Sequence, residues 1–215
     1  MHTSRLPHSL HRWFGQVVRA ARRWSAEVGI VGPDDDLGRR FGGFGRGSAL
    51  LFPQGVIYNE AYLRIGEGTL VGPNVCLTAG MGPGQEMLTN PVVSIGDRCI
   101  IGRGSHLIGH WSIVLGDDIQ TGPYVYITDQ NHGYTDPTAP VGGQATIERA
   151  VHIGSGSWLG ANVVILPGTE LGRNCVVGAG AVVRGSFPDH SVIAGVPAKV
   201  VRALEEGVWR RPTVT

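Results

Sequence analysis

The chain has 215 residues, enough for one substantial core and short for two full domains. Eighteen Lys and Arg against 17 Asp and Glu leave a formal charge of +1, which excludes the basic field that nucleic-acid binding needs and points to a small or uncharged ligand. Three cysteines without a CxxC pair exclude a disulfide framework and fit a reducing cytoplasm, and no run of eighteen apolar residues or uninterrupted apolar N-terminal segment predicts a membrane span or an ordinary signal peptide.

Residues 1–31 read as a basic amphipathic helix. Leu6, Leu10, Trp13, Phe14, Val17, Val18, Ala21, Trp24 and Val28 recur at helical spacing, and Arg5, Arg12, Arg19, Arg22 and Arg23 make the segment cationic. Two readings follow: a helix packed on the body of the protein or on a neighbouring subunit, or one lying peripherally on the inner face of a membrane through residues 5–28. Residues 32–43, GPDDDLGRRFGG, read as a linker.

From Ile65 the chain falls into six-residue units: IGEGTL, VGPNVC, LTAGMG; IGDRCI, IGRGSH, LIGHWS; LGDDIQ, TGPYVY, ITDQNH; then, after a gap, IGSGSW, LGANVV, ILPGTE, LGRNCV, VGAGAV and VRGSFP. Fourteen of the fifteen opening positions are Ile, Val or Leu, Thr121 being the exception, and Gly fills ten of the fifteen second positions. The five exceptions to Gly, at Thr78, Ile108, Thr128, Leu166 and Arg184, all fall in the third unit of a triplet, so the true period is eighteen residues. A three-faced prism meets that period, with one short strand and one turn per unit and the opening aliphatic pointing inward. A weaker first coil begins at FGRGSA, residues 44–49, and the repeat domain spans 44–188.

The breaks at 83–94, 113–114 and 133–152 each follow a third unit, so all leave from one corner of the prism. His132 is the last residue of such a unit, directly ahead of the longest excursion, and an imidazole suits a general base near neutral pH. The stretch 189–215 leaves the repeat through Pro197, is expected to end as a short helix, and is expected to fray at 211–215.

The units resemble the [LIV]-G-x-x-[STAV]-x hexapeptide of left-handed parallel β-helix proteins. The stretch from IGSGSW to GAGAVV, followed by VIAGVPAKVVR, is similar to the C-terminal signature of hexapeptide O-acyltransferases, including galactoside, maltose and polysaccharide-modifying acetyltransferases. The fold class this implies is all-β, a hexapeptide-repeat solenoid with an N-terminal amphipathic helix and a short C-terminal helix. The resemblance further implies an acyl-coenzyme A co-substrate, acetyl-coenzyme A foremost, lying in a cleft between subunits of a homotrimer, with no metal required.

Carried over residue by residue, the resemblance makes His132 the base that deprotonates an acceptor hydroxyl. It places Trp158 near the thioester, makes Gly160, Ala161 and Ala179 small turn positions along the pantetheine arm, and gives Lys199 and Arg202 to the coenzyme phosphates. Arg184-Gly185 stands where the family often has Thr-Lys, so Arg184 is a substitute phosphate ligand. His110 occupies a position where the sugar acetyltransferases tend to carry an acid, so galactoside specificity is not carried over. Asp129, Asn131 and Tyr134 are further acceptor-side candidates, each also explained by turn chemistry.

Two other readings compete. A γ-type carbonic anhydrase would gather three histidines on zinc, and His106, His110 and His132 are the trio to weigh, at spacings of four and twenty-two. A trimeric scaffold without activity would have no use for the Trp158 and AGVPAKVVR features.

Overall fold

A computed structural model describes residues 8–211. The fifteen opening positions of the repeat are all buried, Thr121 included, so each unit hangs from an inward aliphatic anchor. The fifth position also turns inward in most units, as Thr69, Cys99, Ser105, Ser157 and Cys175 illustrate, each fully buried, whereas Met81, Trp111 and Asn131, ahead of the excursions, are exposed. Together these two positions fill a single core running the length of the prism.

The units sort into three parallel sheets. First units form a seven-stranded sheet, second units a sheet of nine strands including three from the C-terminal segment, and third units a six-stranded sheet. Successive coils stack in register, for example Ile113 between Val93 and Val151, and this is the left-handed parallel β-helix.

Two features of the hexapeptide make the turns. In most units the fourth residue adopts the left-handed conformation, whether glycine, as at Gly156 (φ 74°), or a side-chain-bearing residue such as Asn162 (φ 58°) or Tyr124 (φ 59°). The glycine at position two is required by the next coil: a Cβ on Gly160 would lie 2.6 Å from the Ala179 nitrogen. All three cysteines are free and buried; burial pushes the Cys99 and Cys175 thiols up, against hydrogen bonds that pull them down.

Three expectations are corrected, and one alternative for the helix is removed. Residues 32–43 are no free linker, since Phe41 enters the core beside Phe44 at 5.3 Å, Val31 bridges Leu50, and Arg40 pairs with the buried Glu60 at 2.9 Å. They close the open end of the prism. The helix occupies His8–Val28 within the expected 1–31 and does not pack on the solenoid, its large apolar side chains being exposed.

Among its described residues the C-terminal segment holds strands and no helix. Ala198–Glu205 pairs antiparallel with Ser191–Gly195, and Val208–Arg210 returns through Glu206 and Gly207, both at positive φ. The β-branched Val200 and Val201 and the unpaired edge of the second sheet outweigh the helical propensity of Ala203–Glu206. Of the residues expected to fray, 212–215 lie outside the described residues. The last correction concerns the long excursion. The third-unit strand ends at Thr128 and the excursion's ribbon begins at Gln130, three residues before the repeat suggests.

Candidate active site

All three excursions leave between the third and first sheets. The longest opens with Gln130–His132, which pairs antiparallel with Thr146–Glu148 in a ribbon standing off the corner. In it Gln130 faces Glu148, Asn131 faces Ile147 and His132 faces Thr146. A Cβ on Gly133 would lie 2.6 Å from the Ala145 oxygen, so the close crossing of the two chains after His132 needs glycine.

His132 is exposed, and its imidazole has no hydrogen-bond partner among the described residues. With Tyr126, Thr128, Gln130, Asn131 and Leu166 it lines a cavity of about 190 Å³ on the outer side of the third sheet. A larger hollow of about 450 Å³ lies on the first sheet, between His152, Glu170, Arg173 and Asp189, and holds none of the expected site residues.

Asp129 is corrected as an acceptor ligand. It has no exposed surface, and its carboxylate accepts N–H groups from His110 (2.8 Å), Trp111 (2.8 Å) and Ser112 (2.6 Å), holding the corner of the preceding coil. Burial pushes its carboxyl above the usual range, against these donors, which pull the other way. Tyr134 and Asn131 are exposed on the excursion, Asn131 beside His132 in the cavity.

His110 is also held. Its Nδ1 bonds the Glu148 carboxylate, and its Nε2 faces the Gln85 amide at 3.5 Å. Glu148 thus joins the ribbon to the corner of the previous coil. Next to it, Gln130 Oε1 and Thr78 Oγ1 are buried without a partner among the described residues. Glu148, Gln85 and Gln130 were not singled out by the sequence, because they stand in irregular excursions where no period marks a side. His106 lies instead on the outer face of the third sheet with Tyr126, ring centroids 6.4 Å apart. Among the described residues no three His, Cys, Asp or Glu side chains gather where a metal ion would fit.

On the second sheet, Trp158, Val176, Val192 and Arg202 are register partners in one column across adjacent strands. Trp158 is half exposed and Arg202 exposed, so an apolar track of about 14 Å, three strand spacings, runs from an indole to a guanidinium. Lys199, opposite Ala194 on the same added strand, puts a second exposed cation beside it. Ala161 and Ala179 sit in turns between the second and third sheets, stacked against Gly122 and Gly160. Arg184 stands at a different corner, following the third-sheet strand Val182–Val183.

One chain therefore does not bring everything together. The second sheet is the face opposite the corner that carries His132, so the Trp158 track and the imidazole lie on different sides of one prism.

Two family models match: bacterial transferase hexapeptide (six repeats) over residues 150–185, and hexapeptide repeat of succinyl-transferase over 92–128. A putative lipopolysaccharide biosynthesis O-acetyl transferase of Escherichia coli is 34% identical over 165 residues, covering 73% of this chain and 83% of that one. The chain belongs to the hexapeptide-repeat acetyltransferase family. A galactoside O-acetyltransferase of Lactococcus lactis is 30% identical, with 59% and 70% covered. A probable acetyltransferase of Mycobacterium tuberculosis is 36% identical over 66% of this acetyltransferase, which spans 44% of that relative's length. Among solved structures, an N-acyltransferase from Bacillus cereus, in complex with dTDP-4-amino-4,6-dideoxyglucose and coenzyme A, shares the fold at a TM-score of 0.68 and 19% identity. The match covers 81% of this chain and 89% of that one.

Proposed function

We propose that this enzyme moves an acetyl group from acetyl-coenzyme A to a hydroxyl of a sugar or polysaccharide precursor. The observation that carries the reading is the imidazole of His132, exposed and unpartnered among the described residues, on a cavity at the corner where every excursion leaves. The relatives named as lipopolysaccharide and galactoside O-acetyltransferases support a sugar hydroxyl as acceptor.

The residues present fit the coenzyme. The second sheet offers a long apolar track ending on Arg202 and Lys199, and phosphates call for such cations. Acetyl-coenzyme A supplies the activated thioester. His132 accepts the hydroxyl proton as the oxygen bonds the carbonyl carbon, a service worth roughly 10²–10⁴-fold. The proton then passes to the departing thiolate, and no covalent enzyme intermediate forms. His110, oriented by Glu148 and with its Nε2 turned to the Gln85 amide at 3.5 Å, stands on the acceptor side, while the unpartnered imidazole of His132 takes the proton. Because the track and His132 lie on different sides of one prism, the working site joins His132 of one copy to the track of another, in a homotrimer. Arg184, at its separate corner, reaches the phosphates only from the neighbouring copy.

The test is thiol release from a panel of acyl-coenzyme A donors, with hydroxyl sugars and their amino analogues as acceptors. The reading expects acetyl transfer to a hydroxyl; transfer to amines alone, or none to any acceptor, overturns it.

A further inference from the structure

The amphipathic helix His8–Val28, α1, is the largest feature that the chemistry above leaves unused. Leu10, Phe14, Val17, Ala21, Trp24 and Val28 form one stripe along it, widened by Trp13 and Val18. At ~100° per residue this face covers roughly 140° of the helix, and Arg12, Arg19, Arg22 and Arg23 occupy the other side. Among the described residues nothing covers the stripe, with Trp13 55% and Trp24 66% exposed. The helix is tied to the solenoid only at its end, where the Gln54 amide donates to the Gly29 carbonyl at 2.6 Å and the Phe52 ring lies against Gly29.

We infer that α1 docks the enzyme on an anionic lipid surface. Charge decides between the two kinds of surface that would cover it. Four arginines face a single acid, Glu27, so the helix complements a negative plane. The helix is only about 10 Å across, so even the arginines on its far side remain within a Debye length of the headgroups. Two tryptophans and a phenylalanine are the side chains that settle at a membrane interface.

Packing against second copies of α1 is the competing occupant. The stripe does contain a 4-3-4-3-4 spacing from Leu10 to Val28. The positions flanking that seam, however, are His11, Trp13, Val18, Ala20, Ser25 and Glu27, which place no Lys or Arg opposite Glu27 to set partner or register. The helix also does not cross the bilayer, since no helix among the described residues is long and apolar enough to do so.

The experiment is flotation of the full chain with vesicles of equal parts phosphatidylglycerol and phosphatidylcholine, and with phosphatidylcholine alone. The chain is expected to float with the first and stay behind with the second, and high salt is expected to release it. Trp13→Ser with Trp24→Ser is expected to lower the bound-to-free ratio about 10-fold or more, and Arg19→Gln with Arg22→Gln about 10-fold at low salt. These side chains touch no part of the solenoid core, so thermal unfolding and transfer to a soluble acceptor are expected to be unchanged; that separates this result from the fate of the acetyltransferase reading. Equal flotation with both vesicles, no flotation at all, or a fall in oligomer size in the tryptophan variant overturns the inference; the last outcome assigns the stripe to a second copy.

Discussion

Replacing Asp129 with alanine removes a side chain that ties the corner of one coil to the start of the next coil's excursion. Three backbone N–H groups, from His110, Trp111 and Ser112, lose their acceptor at 2.6–2.8 Å. An unsatisfied buried donor costs about 1–3 kcal/mol. Two terms reduce the sum: Trp111 is exposed, so part of this turn can reach water, and the variant no longer buries a carboxylate whose pKa burial has raised. The expected loss is about 2–4 kcal/mol, a fall in Tm of roughly 5–15 °C for a chain of this size. Urea unfolding at fixed protein concentration measures it, since oligomerisation makes the midpoint concentration-dependent. A change below about 0.5 kcal/mol, the size of an ordinary surface substitution, refutes the anchoring role. The pH dependence has a definite sign. With the folded pKa raised, the native state binds the proton more tightly, so this group's contribution is fully present below the unfolded value and is lost as pH rises through the folded one. The stability advantage of the wild type over Asp129→Asn is therefore expected to shrink as pH rises from about 4.

Glu148→Gln is expected to leave the fold intact and raise the KM for the acceptor about 10-fold without moving that for acetyl-coenzyme A, because it loosens His110 and not the second-sheet track. Steady-state kinetics with each substrate varied separate the two, and an effect on the donor alone contradicts the assignment. Trp158→Ala is expected to raise the KM for acetyl-coenzyme A about 10-fold with oligomer size unchanged, and Arg202→Ala to do so by a smaller factor that fades with salt. Gly160→Ala, whose new methyl meets the Ala179 nitrogen at 2.6 Å, is expected to cost about 1–3 kcal/mol on thermal unfolding; a neutral result means that adjacent coils can separate at that turn.

The prism was legible because its physics is periodic. An inward aliphatic every sixth residue and a glycine beside it are demanded by the stacking of each coil on the next, and both surface as a pattern in one sequence. The corner carrying the excursions was legible for the same reason, since insertions are visible only against a period. What the period could not mark was misread. The ribbon starts at Gln130, three residues ahead of the expected excursion at 133, because Gln130, Asn131 and His132 fill out the length of a unit while pairing with 146–148 instead. The strand Ala198–Glu205 was read as helix from local propensity, although the open edge of the second sheet decides its conformation. Phe41 was assigned to a linker, since a single aromatic capping an open core leaves no repeat to follow. On the candidate site, register singles out His132, whereas the Glu148 carboxylate that meets His110 comes from 38 residues away through an irregular loop that no spacing predicts.

The central claim is that His132 takes the proton of an acceptor hydroxyl. The direct measurement is the initial rate of thiol release from acetyl-coenzyme A with a saturating sugar acceptor, for the wild type and for His132→Ala. The alanine variant is expected to keep its oligomer size, its unfolding temperature and its affinity for the coenzyme while turnover falls ~10²-fold or more. Turnover within about twofold of the wild type at equal coenzyme affinity contradicts the assignment and returns the search for a base to the same corner.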